Sequence, residues 1–364
     1  MKAPLTLVFP ATHPEGLSYI LSARERTDPT IAATSAWDAD VARQLDELLL
    51  LPFVHDESFE PAFMELIRRY GIARIFAPVA AVHAWLSHFL KDKNLPLHLI
   101  GVSPINREMQ RHQRLALSAD FLRPFVDEAA GGQSPLGKLE ITAVLKLAEG
   151  IYGESNEQKI ASMMGIFSNT PRGDVVEIGS LTGRSAAVLT WLARRFQIGN
   201  VLAIDPWCAG AAVQFESPAA VRDDLVKEWD YEVMTADFIT NLLPVGLGNA
   251  NYLRAPSSKG HAIYASNTSV ATPEFGQVTY QGRVAVLHVD GNHDYTHAKE
   301  DCDLWLPHLT AGGWLILDDY IWLHGDGPRR VGDELLFRYN NILRRSFIRG
   351  KSLFLQFNAS PRLI

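Results

Sequence analysis

The sequence predicts an α/β protein built in two parts joined by helices. Three observations carry this. Strand-like apolar runs alternate with helical spacings from Leu5 to Val102. A helix-patterned stretch follows, from Arg107 to Phe167. The alternation then returns at Asp174 and ends in two strand-like runs, Phe347-Ile348 and Ser352 to Phe357, joined by Arg349-Gly350-Lys351 as a hairpin.

In the first part, Leu5 to Phe9 reads as a strand stopped by Pro10, and Glu15 to Arg26 as a helix. Val41 to Leu51 is expected to be helical, as are Pro61 to Tyr70 and Ala80 to Lys91. Ala73 to Ala77 and Leu97 to Val102 read as strands. In the middle, Arg107 to Glu128, Gly137 to Gly150 and Glu154 to Phe167 have helical spacing, with Gly131-Gly132-Gln133-Ser134-Pro135 as the interruption. In the last part, strands are expected at Val175 to Ile178, Val201 to Ile204, Asn251 to Leu253, Val284 to Val289 and Gly313 to Leu317. Helices are expected at Ser185 to Phe196, His297 to Leu309 and Arg329 to Leu343.

The totals narrow the function classes. A chain of 364 residues with 47% hydrophobic and 21% charged residues can bury a core in more than one domain. A net charge of -7, with no block of Lys and Arg, argues against a nucleic-acid partner. Cys208 and Cys302 form no CxxC pair, so neither a disulfide framework nor a zinc-thiolate site is expected. No apolar run reaches the roughly 20 residues of a bilayer span, so no membrane partner is expected. The start, Met1-Lys2-Ala3-Pro4-Leu5, reads as the approach to a first strand rather than a leader. A cytoplasmic homo-oligomer is the expectation.

Glu177-Ile178-Gly179-Ser180-Leu181-Thr182-Gly183 lies where a strand passes into a helix. Glycines there let the backbone approach a ligand, and the helix start offers free N–H groups to an anion. The pattern is GxxxG preceded by Glu177, which is neither the GxGxxG of a dinucleotide site nor a Walker loop. A tight turn without a ligand is the plain alternative. The next strand ends in Asp205, whose two carboxylate oxygens suit a ribose diol. Trp207 is placed either to flank an adenine face or simply in the core. Ser180 and Ser185 complete this candidate cofactor set, together with Asp290.

Two later strands also end in carboxylates: His288-Val289-Asp290-Gly291-Asn292-His293 and Leu317-Asp318-Asp319-Tyr320. In an open α/β sheet, ligands sit at the carboxyl ends of the strands, so Asp290, Asp318 and Asp319 should converge there. Crowded carboxylates repel one another. A hard divalent cation would relieve that, with magnesium the natural choice and manganese or calcium as alternatives. Such a cation would also lower the pKa of a bound hydroxyl. His293 lies in the loop over this place and is a candidate base, though most single histidines are structural. His288 should be buried or beside the cofactor, His297 and His324 peripheral, and Asp294 and Tyr295 should shape the loop.

The run His288 to Tyr295, then Asp301 to Pro307, then Gly312-Gly313-Trp314 to Tyr320, resembles the macrocin/mycinamicin-type sugar O-methyltransferases. The cephalosporin-hydroxylase-like group is also similar. The resemblance covers about residue 150 to the C-terminus. It implies a class I, Rossmann-like methyltransferase domain with a seven-stranded sheet and a terminal antiparallel hairpin, using S-adenosylmethionine. It also implies a magnesium ion on Asp290, Asp318 and Asp319, with His293 as base and a small-molecule or sugar-containing acceptor. The middle ligand, often Glu in relatives, is Asp318 here. Gly260 to Gly282 is long for this family and is expected to form part of a substrate lid. Tyr152-Gly153-Glu154-Ser155 precedes the loop where relatives close over the cofactor.

The N-terminal part, through Ala33 to Asp38 and Arg74 to Val79, is similar to the pre-ATP-grasp domains of carboxylate-amine ligases. Thr34, Ser35 and Asp38 are placed to line a crevice or to cap a helix. The expected organisation is therefore an N-terminal Rossmann-like domain for recognition or assembly (1–105), a helical connector (106–150) and a methyltransferase domain (151–364). Two alternatives stay open: an oxidoreductase or hydroxylase-like member of the same fold, and a non-catalytic metabolite-binding protein.

Overall fold

The computed structural model describes residues 3–219 and 226–361. It divides into two compact units, Met1–Arg114 and Leu115–Ile364.

The first unit alternates strand and helix as expected: β1 (Thr6–Val8), α1 (Pro14–Glu25), β2 (Thr30–Thr34), α2 (Ala39–Ala42), β3 (Leu48–Leu50), α3 (Phe59–Tyr70), β4 (Arg74–Phe76), α4 (Ala80–Asp92) and β5 (His98–Leu99). The strands form a sheet of order β3-β2-β1-β4-β5, with every pair parallel. The expected helix from Val41 to Leu51 does not form. A single helical turn, α2, ends at Ala42, and Leu48–Leu50 pair with Ala32–Thr34 as β3. Partner strands at the sheet edge outweigh the helical propensity of the leucines. Asp38 caps α2: its Oδ1 accepts from the N–H groups of Asp40 and Val41 at 2.9 and 3.1 Å. Its carboxylate therefore serves the helix start.

The helix α5 (Pro104–Ala130) runs across the division between the units. The second unit continues with α6 (Lys138–Glu149), α7 (Glu157–Ile166), β6 (Asp174–Ile178), α8 (Arg184–Arg195), β7 (Val201–Asp205), α9 (Ala209–Ala212), α10 (Tyr231–Gly246) and β8 (Ala250–Arg254). Then come α11 (Ser257–Ser266), β9 (Ser269–Thr272), β10 (Gly276–Thr279), β11 (Val284–Val289), α12 (Tyr295–Trp305), β12 (Leu309–Leu317), α13 (Gly327–Arg338), β13 (Leu343–Arg349) and β14 (Ser352–Phe357). The residues expected as a connector do not stand apart. Leu115, Leu122, Ile141 and Val144 are buried in one core with Val188 and Leu192 of α8, so the stretch from Leu115 onward belongs to the second unit.

The main sheet has the order β13-β14-β12-β11-β6-β7-β8. β8, β7, β6, β11 and β12 run parallel, and β14 lies antiparallel between β12 and β13. Renumbered along this unit, the order is 6-7-5-4-1-2-3, the class I methyltransferase arrangement implied by the resemblance. Side chains alternate across the sheet. Val175, Val201, Trp314 and Ile316 face the core under α6 to α8 and α10. Val176, Leu202, Leu315 and Leu317 face the core under α12 and α13. The chain reverses direction across the sheet between β6 and β11, so the ends of these two strands define a crevice.

The expected lid at Gly260 to Gly282 lies elsewhere. Asp174, the first residue of β6, accepts on Oδ2 from the N–H groups of Gln281 and Gly282 at 2.7 and 3.0 Å. Tyr280 donates its hydroxyl to the carbonyl of Val201, the first residue of β7, at 2.9 Å. Asn251 Nδ2 donates to the carbonyls of Val270 and Gly276. Polar groups at the strand starts thus hold the β9–β10 hairpin at the end of the sheet opposite the crevice.

Candidate active site

The β6–α8 turn needs its glycines, for reasons partly different from those expected. Gly179 has φ 79°, and a Cβ there would collide with the carbonyl of Asp290. The close approach is between two strand ends of the protein. Gly183 has φ 93°, and a side chain there would come within 3.0 Å of the Phe238 ring. Glu177 is fully buried: Oε1 lies 2.9 Å from His288 Nδ1, and Oε2 accepts from Ser180 Oγ at 2.7 Å.

A cavity of about 390 Å³ opens above this turn, within the size range of small-molecule sites. Gly179, Ser180, Ser185, Asp205, Trp207 and Asp290 line it. Glu177 and Gly183, although placed in the cofactor set by the sequence, do not. Their contacts are with the turn and the packing beneath it. The segment Tyr152 to Ser155 also lines the cavity. The turn holds it there: Thr182 Oγ1 donates to the Tyr152 carbonyl at 2.6 Å, and Arg184 Nη1 to the Gly153 carbonyl at 2.7 Å.

Asp205 ends β7 beside the turn. Its Oδ2 accepts from the N–H groups of Ser180 and Leu181 at 2.8 and 3.1 Å, and its Oδ1 from the N–H of Trp207 at 2.7 Å. Burial raises its carboxyl above the usual range against the pull of these donors. A carboxylate has roughly four acceptor positions, so little capacity is left for two further hydroxyls. Trp207 is packed into the cavity wall: its indole is 1% exposed, tilted against Phe238 at 4.7 Å, and its Nε1 donates to the Leu181 carbonyl at 2.8 Å.

His293 lies at the cavity wall with Asp290 and Asp319. Its Nε2 is 3.8 Å from Asp290 Oδ1 and 3.5 Å from Asp319 Oδ2, and its ring meets Trp322 edge-on at 4.6 Å. Burial would lower the imidazole pKa, but Asp290, Asp319 and Asp318 raise it above the ordinary value. The loop carrying His293 is tied to the segment after α9. Asp294 accepts from the N–H groups of Phe215 and Glu216 at 2.8 and 2.9 Å, and Asn292 Nδ2 donates to the carbonyls of Ala211 and Val213. His288 is buried as expected, whereas His297, expected to be peripheral, lines the cavity.

The carboxylates do not meet as one oxygen cage. Lys159, on α7 and only 1% exposed, places Nζ 3.1 Å from Asp290 Oδ2 and in direct contact with Asp318 Oδ2. The other oxygen of Asp318 accepts from Ser352 Oγ. Asp319, at φ 48°, faces His293 through Oδ2, and its Oδ1 lies 2.8 Å from Lys351 Nζ. Among the described residues, the close groupings are His288 with Asp290 and Asp318, and Asp290 with His293 and Asp319. The expected set of Asp290, Asp318 and Asp319 is not assembled. A divalent cation does not fit between Asp290 and Asp318, because an ammonium group already stands there.

Burial would discharge Lys159, but Asp290 and Asp318 hold its pKa above the ordinary lysine value. In turn, Asp290 is held well below the usual carboxylate range, Lys159 overcoming the effect of burial. The sequence reading missed both lysines because it counted only carboxylates. A signal was present: Lys159 falls on the helical stripe of Met163 and Ile166, all of it buried.

Residues 176–320, all within the second unit, match the family described as a methyltransferase domain. No curated protein matches the chain. Several solved structures are similar at low identity. The calicheamicin methyltransferase CalS11 is 14% identical over 71% of this chain and 94% of its own, with a TM-score of 0.41. The O-methyltransferase NovP is 14% identical over 66% and 99%, with a TM-score of 0.37. The MycE methyltransferase of the mycinamycin pathway, solved with Mg, SAH and mycinamycin VI, is 12% identical over 52% and 46%, with a TM-score of 0.30.

Proposed function

We propose that the second unit is an S-adenosylmethionine-dependent O-methyltransferase acting on a hydroxyl of a small-molecule or sugar-containing acceptor. One observation carries this reading. The cavity that begins at the β6–α8 turn ends at a histidine backed by two carboxylates, so a nucleoside site and a proton acceptor share one space.

Ser180 and Gly291, at the carboxyl ends of neighbouring strands, would hold the nucleoside, with Asp205 bracing the turn that carries Ser180. Tyr152 to Ser155 would cover the methionine end and exclude water. Bound S-adenosylmethionine supplies a methyl group on a positively charged sulfur. His293 would take the acceptor's hydroxyl proton on its imidazole and so raise the nucleophilicity of the acceptor oxygen. Asp290 and Asp319 stabilise the imidazolium that results and fix the ring for the next acceptor.

The test pairs binding with turnover. Calorimetry with S-adenosylmethionine and its demethylated product should show a site. An acceptor screen that follows loss of the methyl donor should then identify the hydroxyl. No binding of either compound overturns the reading. Binding without transfer to any hydroxyl, amine or thiol acceptor favours a metabolite-binding protein instead.

A further inference from the structure

We infer that Lys159 stands in for a divalent cation in this chain, so that the site works with a fixed ammonium group and needs no metal. The inference rests on the proposed reading of the cavity, but its first test does not use catalysis.

The charge account is local. Asp290, Asp318 and Asp319 end two neighbouring strands, which would leave three crowded anions at the crevice. Lys159 and Lys351 supply two of the compensating charges, and the imidazole of His293 faces the rest. The oxygens that a metal between Asp290 and Asp318 would need are in use. Asp318 spends Oδ2 on Lys159 and Oδ1 on Ser352, and Asp290 spends Oδ2 on Lys159. What remains near His293 is a mixed nitrogen and oxygen set, whereas magnesium takes oxygen ligands in near-octahedral order.

Lys159 is fixed rather than incidental. It lies in the first turn of α7, and its backbone N–H donates to Oδ1 of Asn156, the helix cap, at 3.0 Å. Gly350, at φ 56° in the β13–β14 turn, packs so closely that a Cβ there would collide with Asn156 and Lys159. A helix start and a hairpin turn thus aim one ammonium group between two strand ends. A point charge of this kind can neutralise the cluster and hold Asp290 beside His293. It offers no open coordination position for the acceptor, so acceptor orientation falls to the cavity wall.

The experiment is manganese binding to the full chain, followed by the spectrum of free Mn²⁺, with and without the demethylated cofactor. The wild type is expected to leave the free Mn²⁺ signal undiminished, and chelator treatment is expected to leave cofactor affinity unchanged. Lys159→Ala frees the oxygens and removes a positive charge a few ångströms away, so it should bind Mn²⁺ about tenfold more tightly or better. Lys159→Arg should keep the wild-type behaviour. Stoichiometric Mn²⁺ binding by the wild type, abolished in Asp290→Asn, overturns the inference. If Lys159→Ala does not fold, Lys159→Gln, which fills a similar space without the charge, decides: it should bind Mn²⁺ more tightly than the wild type, and the absence of any gain overturns the inference. If the protein binds no cofactor at all, the proposed function fails, while the manganese result still decides the role of Lys159.

Discussion

Gly179 and Asp290 meet backbone to backbone, with the Asp290 carbonyl in the space that a Cβ on Gly179 would occupy. The contact joins the ends of β6 and β11, the two strands at which the chain changes direction across the sheet. Gly179 also has φ 79°, which an L side chain adopts only at a cost. Gly179→Ala should therefore destabilise the second unit by about 3 kcal/mol, the strain adding to the overpacking. Denaturant midpoints at unchanged slope would measure it. A variant as stable as the wild type would show that the strand ends can part freely.

Glu177 is predicted to matter for stability more than for ligand binding. Its two oxygens meet His288 and Ser180 in a fully buried pocket beneath the cavity wall. Glu177→Ala leaves both partners without an acceptor, at about 1–3 kcal/mol. Affinity for the demethylated cofactor, measured below the lowered melting temperature, should change by less than about tenfold, since no bond worth 1.4 kcal/mol to the ligand is lost. A larger loss of affinity at intact stability would place Glu177 in the binding site.

His293 should govern the acid side of the rate profile. Its pKa lies above the ordinary histidine value, with Asp290, Asp319 and Asp318 outweighing burial. The base works when neutral, so the rate should rise with pH and level off above that raised pKa. Asp319→Asn removes one of the charges that raise it, so the rise should move to lower pH. His293→Ala should lose about 10²–10⁴-fold in kcat and keep cofactor affinity. A profile unchanged in Asp319→Asn would remove the carboxylate from this role.

Much of the second unit was legible because its signals are local and periodic. The strand end at Asp205, the turn glycines and the two Asp-bearing strand ends all follow from apolar runs that stop at a polar residue. What escaped was long-range. Lys159 is 131 residues from Asp290 and 159 from Asp318, and no spacing rule connects them. The same limit explains the β9–β10 hairpin, whose place is set by Asp174 and Asn251 at the starts of distant strands. It also explains β3, where pairing with β2 decides between two structures that the leucines alone allow.

Asp301 offers a test of the cavity wall that is independent of catalysis. It lies on α12, lines the cavity, and is pushed up to about 6 by burial, which outweighs its hydrogen bond with Ser257. Its folded pKa therefore lies above the unfolded value near 3.9. The contribution to stability is fully present below about pH 4 and is lost as pH rises through about 6. Above that range, the buried charge costs on the order of 2–3 kcal/mol. Asp301→Asn keeps the shape without the charge. At pH 8 its melting temperature should exceed that of the wild type by roughly 5–10 °C. The difference should shrink as the pH falls from about 6 to 4, where the wild-type carboxyl takes up its proton. A constant difference across that window would mean that packing, rather than the charge of Asp301, separates the two proteins.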